Sequence, residues 1–174
     1  EALDIIQIND LLELTTPEDL SRLNNAIDSL VKENLIYKTK KNKYILFKNC
    51  PNLKVGVLSI NKKGFGFLLV PGGEDIYIDK NNINNAVNDD KVLIEVINNY
   101  GKTEGRVLRV LSRDLNNLIG EVYFVNNKPF IKLEDEKKKI DIKLDEKTTK
   151  GIVEGTKVIV SVVKEMSRNK YIGK

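Results

Sequence analysis

Lys62-Lys63-Gly64-Phe65-Gly66-Phe67-Leu68 is followed closely by Asp75-Ile76-Tyr77-Ile78-Asp79. Alternation at every second residue suits a strand, whose side chains point to opposite faces in turn. Phe65 and Phe67 then share one face, and Tyr77 stands on the face opposite Ile76 and Ile78. Leu68-Leu69-Val70 with Ile76 and Ile78 already furnish a core, which leaves the rings with no obvious interior to enter. If the two runs are neighbours in a sheet, three rings line one surface with Lys62 and Lys63 at its margin. Exposed aromatics are ordinarily a solubility liability. A surface on which unpaired bases stack, while lysines meet phosphate, accounts for them. The competing reading is a sandwich strand whose rings are ordinary core.

Lys63-Gly64-Phe65-Gly66-Phe67-Leu68 resembles the first ribonucleoprotein motif of cold-shock domains, and Asp75-Ile76-Tyr77-Ile78-Asp79 resembles the second. That resemblance implies a five-stranded OB barrel and a base-stacking role for Phe65, Phe67 and Tyr77; the residues themselves add Lys62, Lys63 and Lys80 as the cationic part of the RNA-binding set. The chain departs from the family at Leu58, where a tryptophan is usual, and at Asp79 and Lys80, where histidine and phenylalanine are usual. A smaller platform with a carboxylate at one end implies weak or moderate affinity.

Charge is unevenly spread: residues 1–48 carry a net −1, residues 49–113 a net +2 and residues 114–174 a net +3. A mild basic excess in the last two thirds suits a nucleic-acid partner. Richness in Asn, Lys and Ile points to AT-rich coding, which inflates lysine without functional cause. There is no histidine, and Cys50 is the single cysteine. A disulfide framework, a zinc ribbon and a Ser-His-Asp triad are therefore excluded. No apolar run approaches the roughly 18 residues of a membrane span. The expectation is a soluble, cytoplasmic protein without a membrane partner. Glu1 at the start and Lys174 soon after a strand-like run suggest a piece of a longer protein.

The expected fold class is α+β and mostly β: a small winged helix followed by two tandem five-stranded OB barrels. Residues 1–48 are read as a winged helix-turn-helix. Thr16 is a helix N-cap, Pro17 the first helical residue, and Glu18 and Asp19 complement the first turn. Leu20, Leu23, Ile27, Leu30 and Val31 recur at helical spacing, and the helix is expected to end near Asn34. Strand-like Leu35–Tyr37 and Tyr44–Phe47 flank a turn at residues 40–43, making a wing with Lys38, Lys40, Lys41 and Lys43. The helix carries Glu18, Asp19, Asp28 and Glu33 against Arg22 and Lys32, a poor surface for phosphate.

Residues 49–113 form the first cold-shock-like barrel. Its strands are expected at Val55–Leu58, Phe65–Val70, Ile76–Ile78, Val92–Ile97 and Gly105–Leu111. Asn88-Asp89-Asp90 reads as a turn rather than a metal pair. Residues 114–174 repeat the pattern: Gly120 lies 64 residues after Gly56, while Asp141–Asp145 and Lys157–Val160 lie 66 after Asp75–Asp79 and Lys91–Ile94. A near-constant offset signals a duplicated fold. In the second copy Lys143 replaces Tyr77, and only Phe130 remains near the Phe65/Phe67 pair. Phosphate contacts through Lys128, Lys132 and Lys143 stand against a purely structural spacer. Glu134–Lys139 reads as a solvated hairpin tip, and Asn98-Asn99 and Asn116-Asn117 as loops.

The order of these parts resembles the N-terminal region of bacterial ribonuclease R, in the ribonuclease II/R exoribonuclease family. The stretches that carry the resemblance are the two motifs above, Glu104-Gly105-Arg106-Val107-Leu108 with Arg113, and Ile119-Gly120. The resemblance implies that the chain binds single-stranded RNA and guides it to a catalytic domain of the same parent, which degrades RNA from its 3′ end with magnesium. This chain shows no aspartates at the close spacing of that family's active site, so no catalytic residue, metal ligand or cofactor is assigned to it. Three other readings stay open: a stand-alone single-strand binder or RNA chaperone, a winged-helix regulator of duplex DNA, and a protein-interaction module.

Overall fold

The computed structural model describes residues 1–147 and 149–174, with no statement about the Asn99 side chain. The chain divides into two compact units, Glu1–Leu53 and Lys54–Lys174.

The first unit holds two helices, α1 (Ile5–Leu11) and α2 (Pro17–Lys32), then a hairpin of β1 (Ile36–Lys38) and β2 (Tyr44–Leu46). The Thr16 hydroxyl accepts the Asp19 N–H at 3.1 Å, which caps α2 as its sequence dictates. At the other end Asn34 takes φ 58°, the Asn34 N–H donates to Val31 O, and the Leu35 N–H donates to Leu30 O. That is a Schellman ending, with asparagine in the left-handed position usually given to glycine. Leu23 and Ile27 are buried, whereas Leu20 and Leu30 of the same stripe remain exposed. Helix α1 lies outside the elements expected above. Its signal was present, because Asp4 and Gln7 form a reciprocal capping box at 2.9 and 3.0 Å. Leu3 also bridges Tyr44 of β2, adding a short third piece to the hairpin.

The second unit contains two curled sheets. One is five-stranded: β3 (Leu53–Ile60), β4 (Gly66–Leu69), β5 (Ile76–Ile78), β6 (Lys91–Asn99) and β7 (Lys102–Ser112), in the order β5-β4-β3-β6-β7. The expected loop at Asn98-Asn99 is the end of strand β6, and the turn falls on Tyr100-Gly101, both with positive φ. Strand β7 comes round to pack beside β5. A Cβ on Gly105 would stand 2.8 Å from Ile94 Cδ1 and 3.0 Å from Ile78 Cγ1, so the curl requires a residue without a side chain there.

The other sheet is six-stranded: β8 (Leu118–Val125), β9 (Lys128–Leu133), β10 (Asp141–Leu144), β11 (Lys157–Val160), β12 (Val162–Ser167) and β13 (Lys170–Gly173), in the order β11-β8-β9-β10-β13-β12. Its two edge strands, β11 and β12, are separated only by Ser161, so the sheet curls back on itself. Strands β10 and β13 run parallel, and every other pairing described in this sheet is antiparallel. The second sheet has six strands rather than the expected five, because β13 pairs with β10 and carries β12 at its edge; the fold is mostly β with two helices and two curled, OB-like sheets.

Each sheet wraps its own core. Leu58, Leu68, Ile78, Val92 and Ile94 lie at the centre of the first, and Val122, Ile131, Ile142 and Val160 at the centre of the second. The segment between β5 and β6 serves both, since Ala86 enters the first core and Val87 the second. Asn88-Asp89-Asp90 is a turn as expected, with Asp89 at φ 67°.

Asp90 does more than turn the chain. Its carboxylate, 1% exposed, accepts Arg113 Nε at 2.8 Å and Nη2 at 2.6 Å, together with the Val87 N–H at 2.8 Å. Arg113 also donates Nη1 to Asn169 Oδ1 (2.7 Å) and Tyr171 Oη (2.8 Å), and Nη2 to the Asn85 carbonyl (3.0 Å). All five guanidinium donors are therefore used. Burial disfavours the Arg113 charge, but the hydrogen bonds and charge of Asp90, and to a smaller extent Tyr171, hold its pKa above the ordinary value. The node joins residues beside the first sheet to residues of the β12–β13 turn and β13.

Candidate nucleic-acid interface

The aromatic face is built by register. Ser59 pairs with Phe67 across β3 and β4, and Phe67 pairs with Tyr77 across β4 and β5. Phe65 lies just before β4, and its carbonyl accepts the Asn61 N–H at 2.9 Å. Between them Gly66 is buried, and a Cβ there would stand 2.7 Å from Ser59 O. A side chain at Gly66 would push β4 off β3; its absence lets both flanking rings turn outward.

The three rings form one cluster. Phe65–Tyr77 centroids are 5.5 Å apart, Phe67–Tyr77 5.7 Å and Phe65–Phe67 6.1 Å, with tilted or edge-to-face contacts. Phe67 is 40% exposed, while Phe65 and Tyr77 are half-buried. The rings therefore lie outside the core beneath, in which Leu58, Leu68 and Ile78 are fully buried.

Cations and carboxylates both border the cluster, and Asp79 caps the turn that Lys80 opens. Lys62 and Lys63 are exposed on the β3–β4 turn, where Gly64 takes φ 91°. Lys80, also exposed, opens a single 3₁₀ turn at Lys80–Asn82. A Cβ on Gly64 would lie 4.0 Å from Lys80 Cβ, so Lys80 stands beside that turn. Around Tyr77, burial raises the hydroxyl pKa, and the charges of Asp79 and Glu104 with a hydrogen bond to Asp79 push the same way. Stacking surface, cations and hydrogen-bond acceptors thus occupy one side of the first sheet.

Next to the β3–β4 turn lies a cleft of about 460 Å³, lined by Asn61, Lys62, Asn84 and Asn85 on one side and by Lys137 and Lys139 on the other. The sequence treats Glu134–Lys139 as a solvated tip. The fold brings two of its lysines to the cleft that Lys62 lines and pairs Glu134 with Lys157 at 2.9 Å. No local pattern foretells that meeting, because the residues are about 75 positions apart along the chain. Among the described residues there is no group of three or more carboxylate or cysteine side chains placed to hold a metal ion. None of their helices is long and apolar enough to cross a membrane.

Residues 56–110 match the family described as the ribonuclease B OB domain. This is the stretch that carries the three rings. Over 157 residues, the chain is 26% identical to ribonuclease R of Thermotoga maritima, covering 89% of this chain and 22% of that protein. It therefore spans about a fifth of that relative's length. In fold it is similar to RNase R of Mycoplasma genitalium, solved in complex with ribose-methylated single-stranded RNA, with a TM-score of 0.56 at 16% identity, covering 69% of this chain and 20% of that one. It is also similar to yeast Ssd1, a pseudonuclease, with a TM-score of 0.51 at 16% identity, covering 84% and 23%.

Proposed function

We propose that this chain binds single-stranded RNA on the outer face of its first sheet and feeds it to a catalytic part of the same parent protein, a 3′-to-5′ exoribonuclease of the ribonuclease R kind. The observation that supports this most strongly is the Phe65–Phe67–Tyr77 cluster, held outward on an OB-type sheet with Lys62, Lys63 and Lys80 at its border. Bases stack on the rings, and the lysines meet the phosphates between them. Lys137 and Lys139, with Glu136 beside them, add two further cations across the cleft. Hydrolysis and its magnesium ion belong to the catalytic part, where convergent carboxylates hold the metal.

In this reading the first unit is a winged helix. Its wing cation Lys38 lies 5.7 Å from the centre of the Tyr44 ring, and its long helix carries an Arg22–Asp19 pair. The acids Glu18, Asp19 and Asp28 on that helix, with Glu33 at its end, rather than these weak contacts, disfavour duplex phosphates. The two curled sheets are a duplicated OB pair. Gly56 and Gly120 support this, since each sits where a Cβ would strike a backbone carbonyl of the next strand.

Fluorescence anisotropy with a single-stranded RNA and its matched duplex, at two salt concentrations, tests the proposal. The single strand is expected to bind more tightly. Phe67→Ala and Tyr77→Ala are each expected to weaken it by about 1–3 kcal/mol, the usual worth of one stacked base. Lys63→Ala is expected to lower the slope of log affinity against log salt by somewhat less than one unit. Unchanged affinity in both ring variants, with the fold intact, refutes the stacking face.

A further inference from the structure

We propose that the second sheet carries a base-stacking site of its own, made by Tyr123 and Phe130, with Lys128 and Lys143 placed for the phosphates of the same single-stranded RNA. The inference rests on the proposed function of the first face and extends it to the second.

The argument is one of register. In the first sheet the fully buried pair Leu58↔Leu68 is followed by Ser59↔Phe67, and Phe67 in turn faces Tyr77. In the second sheet the buried pair Val122↔Ile131 is followed by Tyr123↔Phe130, and Phe130 in turn faces Lys143. Phe130 therefore occupies the position of Phe67, and Lys143 that of Tyr77. Lys128, paired with Val125, occupies the position of Phe65 beside Asn61. Tyr123 occupies the position of Ser59. The ring lost at Lys143 is thus regained from the neighbouring strand on the same face.

The two rings stand 5.8 Å apart at 32°, a flatter arrangement than any pair in the first cluster. Tyr123 is 37% exposed and Phe130 half-buried. The core below them is complete, with Val122, Ile131 and Ile142 almost wholly buried, so packing does not call for an outward tyrosine. The charges near the rings are mixed: Asp135, Glu136 and Asp141 line the hollow beside Tyr123 together with Lys132 and Lys138, and the cations of the face are accessible. Lys128 is exposed, Lys143 Nζ donates to Glu146 Oε1 at 3.1 Å in an exposed pair, and Lys132 lies opposite Glu121. A phosphate displaces Glu146 from Lys143 at small cost, because exposed ion pairs are weak. Adjacent rings bordered by lysines suit a nucleobase with its flanking phosphate.

The test uses the full chain and an unstructured RNA of about 20 nucleotides, long enough for two OB faces. Anisotropy is measured for wild type, Phe67→Ala, Tyr123→Ala and Tyr123→Leu; the leucine keeps an apolar side chain over Phe130 but removes the ring. Both Tyr123 variants are expected to bind about fivefold or more weakly with unchanged melting temperature. Lys128→Gln is expected to lower the salt slope. Weakening in Phe67→Ala with none in either Tyr123 variant overturns the second site and leaves the first face standing. Weakening only in the Tyr123 variants supports the second site and removes the first. No weakening in any variant refutes both.

Discussion

Replacing Arg113 by methionine removes the cation that joins the two sheets while keeping a similar length of apolar chain. Asp90 is then left 1% exposed with the Val87 N–H as its remaining partner among the contacts described above. Breaking a buried ion pair by deleting one member costs about 3–5 kcal/mol, chiefly because the other charge stays buried. The hydrogen bonds from Arg113 to Asn169, Tyr171 and Asn85 are part of the same loss and are not added to it. Domains commonly have 5–15 kcal/mol in total, so the second unit would lose a large share of its stability. For a unit of this size the melting temperature falls by roughly 10–20 °C. Urea unfolding followed by far-ultraviolet circular dichroism measures the change. Arg106→Met serves as the control, because its pair with Glu95 is exposed and is expected to contribute about 0–1 kcal/mol. Adding Asp90→Asn to Arg113→Met should recover part of the loss by removing the orphaned charge. A loss below about 1 kcal/mol in Arg113→Met, indistinguishable from the control, refutes the claim that this node holds the sheets together.

Gly105→Val is expected to destabilise the second unit by about 1–3 kcal/mol through overpacking against Ile94 and Ile78, read as a lower urea midpoint with unchanged slope. Thr16→Ala should cost the first unit about 1 kcal/mol in thermal unfolding, and Thr16→Ser should cost much less. Burial pushes the Cys50 thiol above its ordinary pKa, and its Sγ donates weakly to Leu46 O at 3.7 Å. Alkylation near pH 8 should therefore run more slowly than in urea-unfolded protein, with a pH–rate midpoint above the usual ~8.5. Because the folded value is the higher one, the contribution of Cys50 to stability is intact below the unfolded thiol pKa and is lost as pH rises through the folded one.

The local structure was largely legible because it depends on near neighbours. Thr16-Pro17 starts a helix because a hydroxyl, a fixed φ and two acids meet the free N–H groups of the first turn. The strand Ile76–Ile78 begins and ends where alternation predicted, and the fold is mostly β as expected. The three rings of the first face follow from period two plus the adjacency of β4 and β5. The second face is less legible for a related reason. Matching Lys143 to Tyr77 by offset shows a ring lost, but Tyr123 compensates from a neighbouring strand, and only cross-strand register reveals it. In the same way the sequence marks Asp90 as part of a turn, which it is, but carries no sign of its partner Arg113.

The residues alone were enough to mark the strands of the first sheet, their apolar faces, and the shared side of Phe65 and Phe67. Those properties come from dihedral preference and from burial averaged over a few residues. That Tyr77 joins the two rings needed the pairing of β4 with β5. Tertiary structure alone decided that Arg113 meets Asp90, Asn169 and Tyr171, that Ala86 and Val87 divide between two cores, and that Lys62 lines a cleft with Lys137 and Lys139. Each joins residues far apart along the chain, and a pairing of that kind depends on how whole sheets curl, which no short stretch of residues encodes.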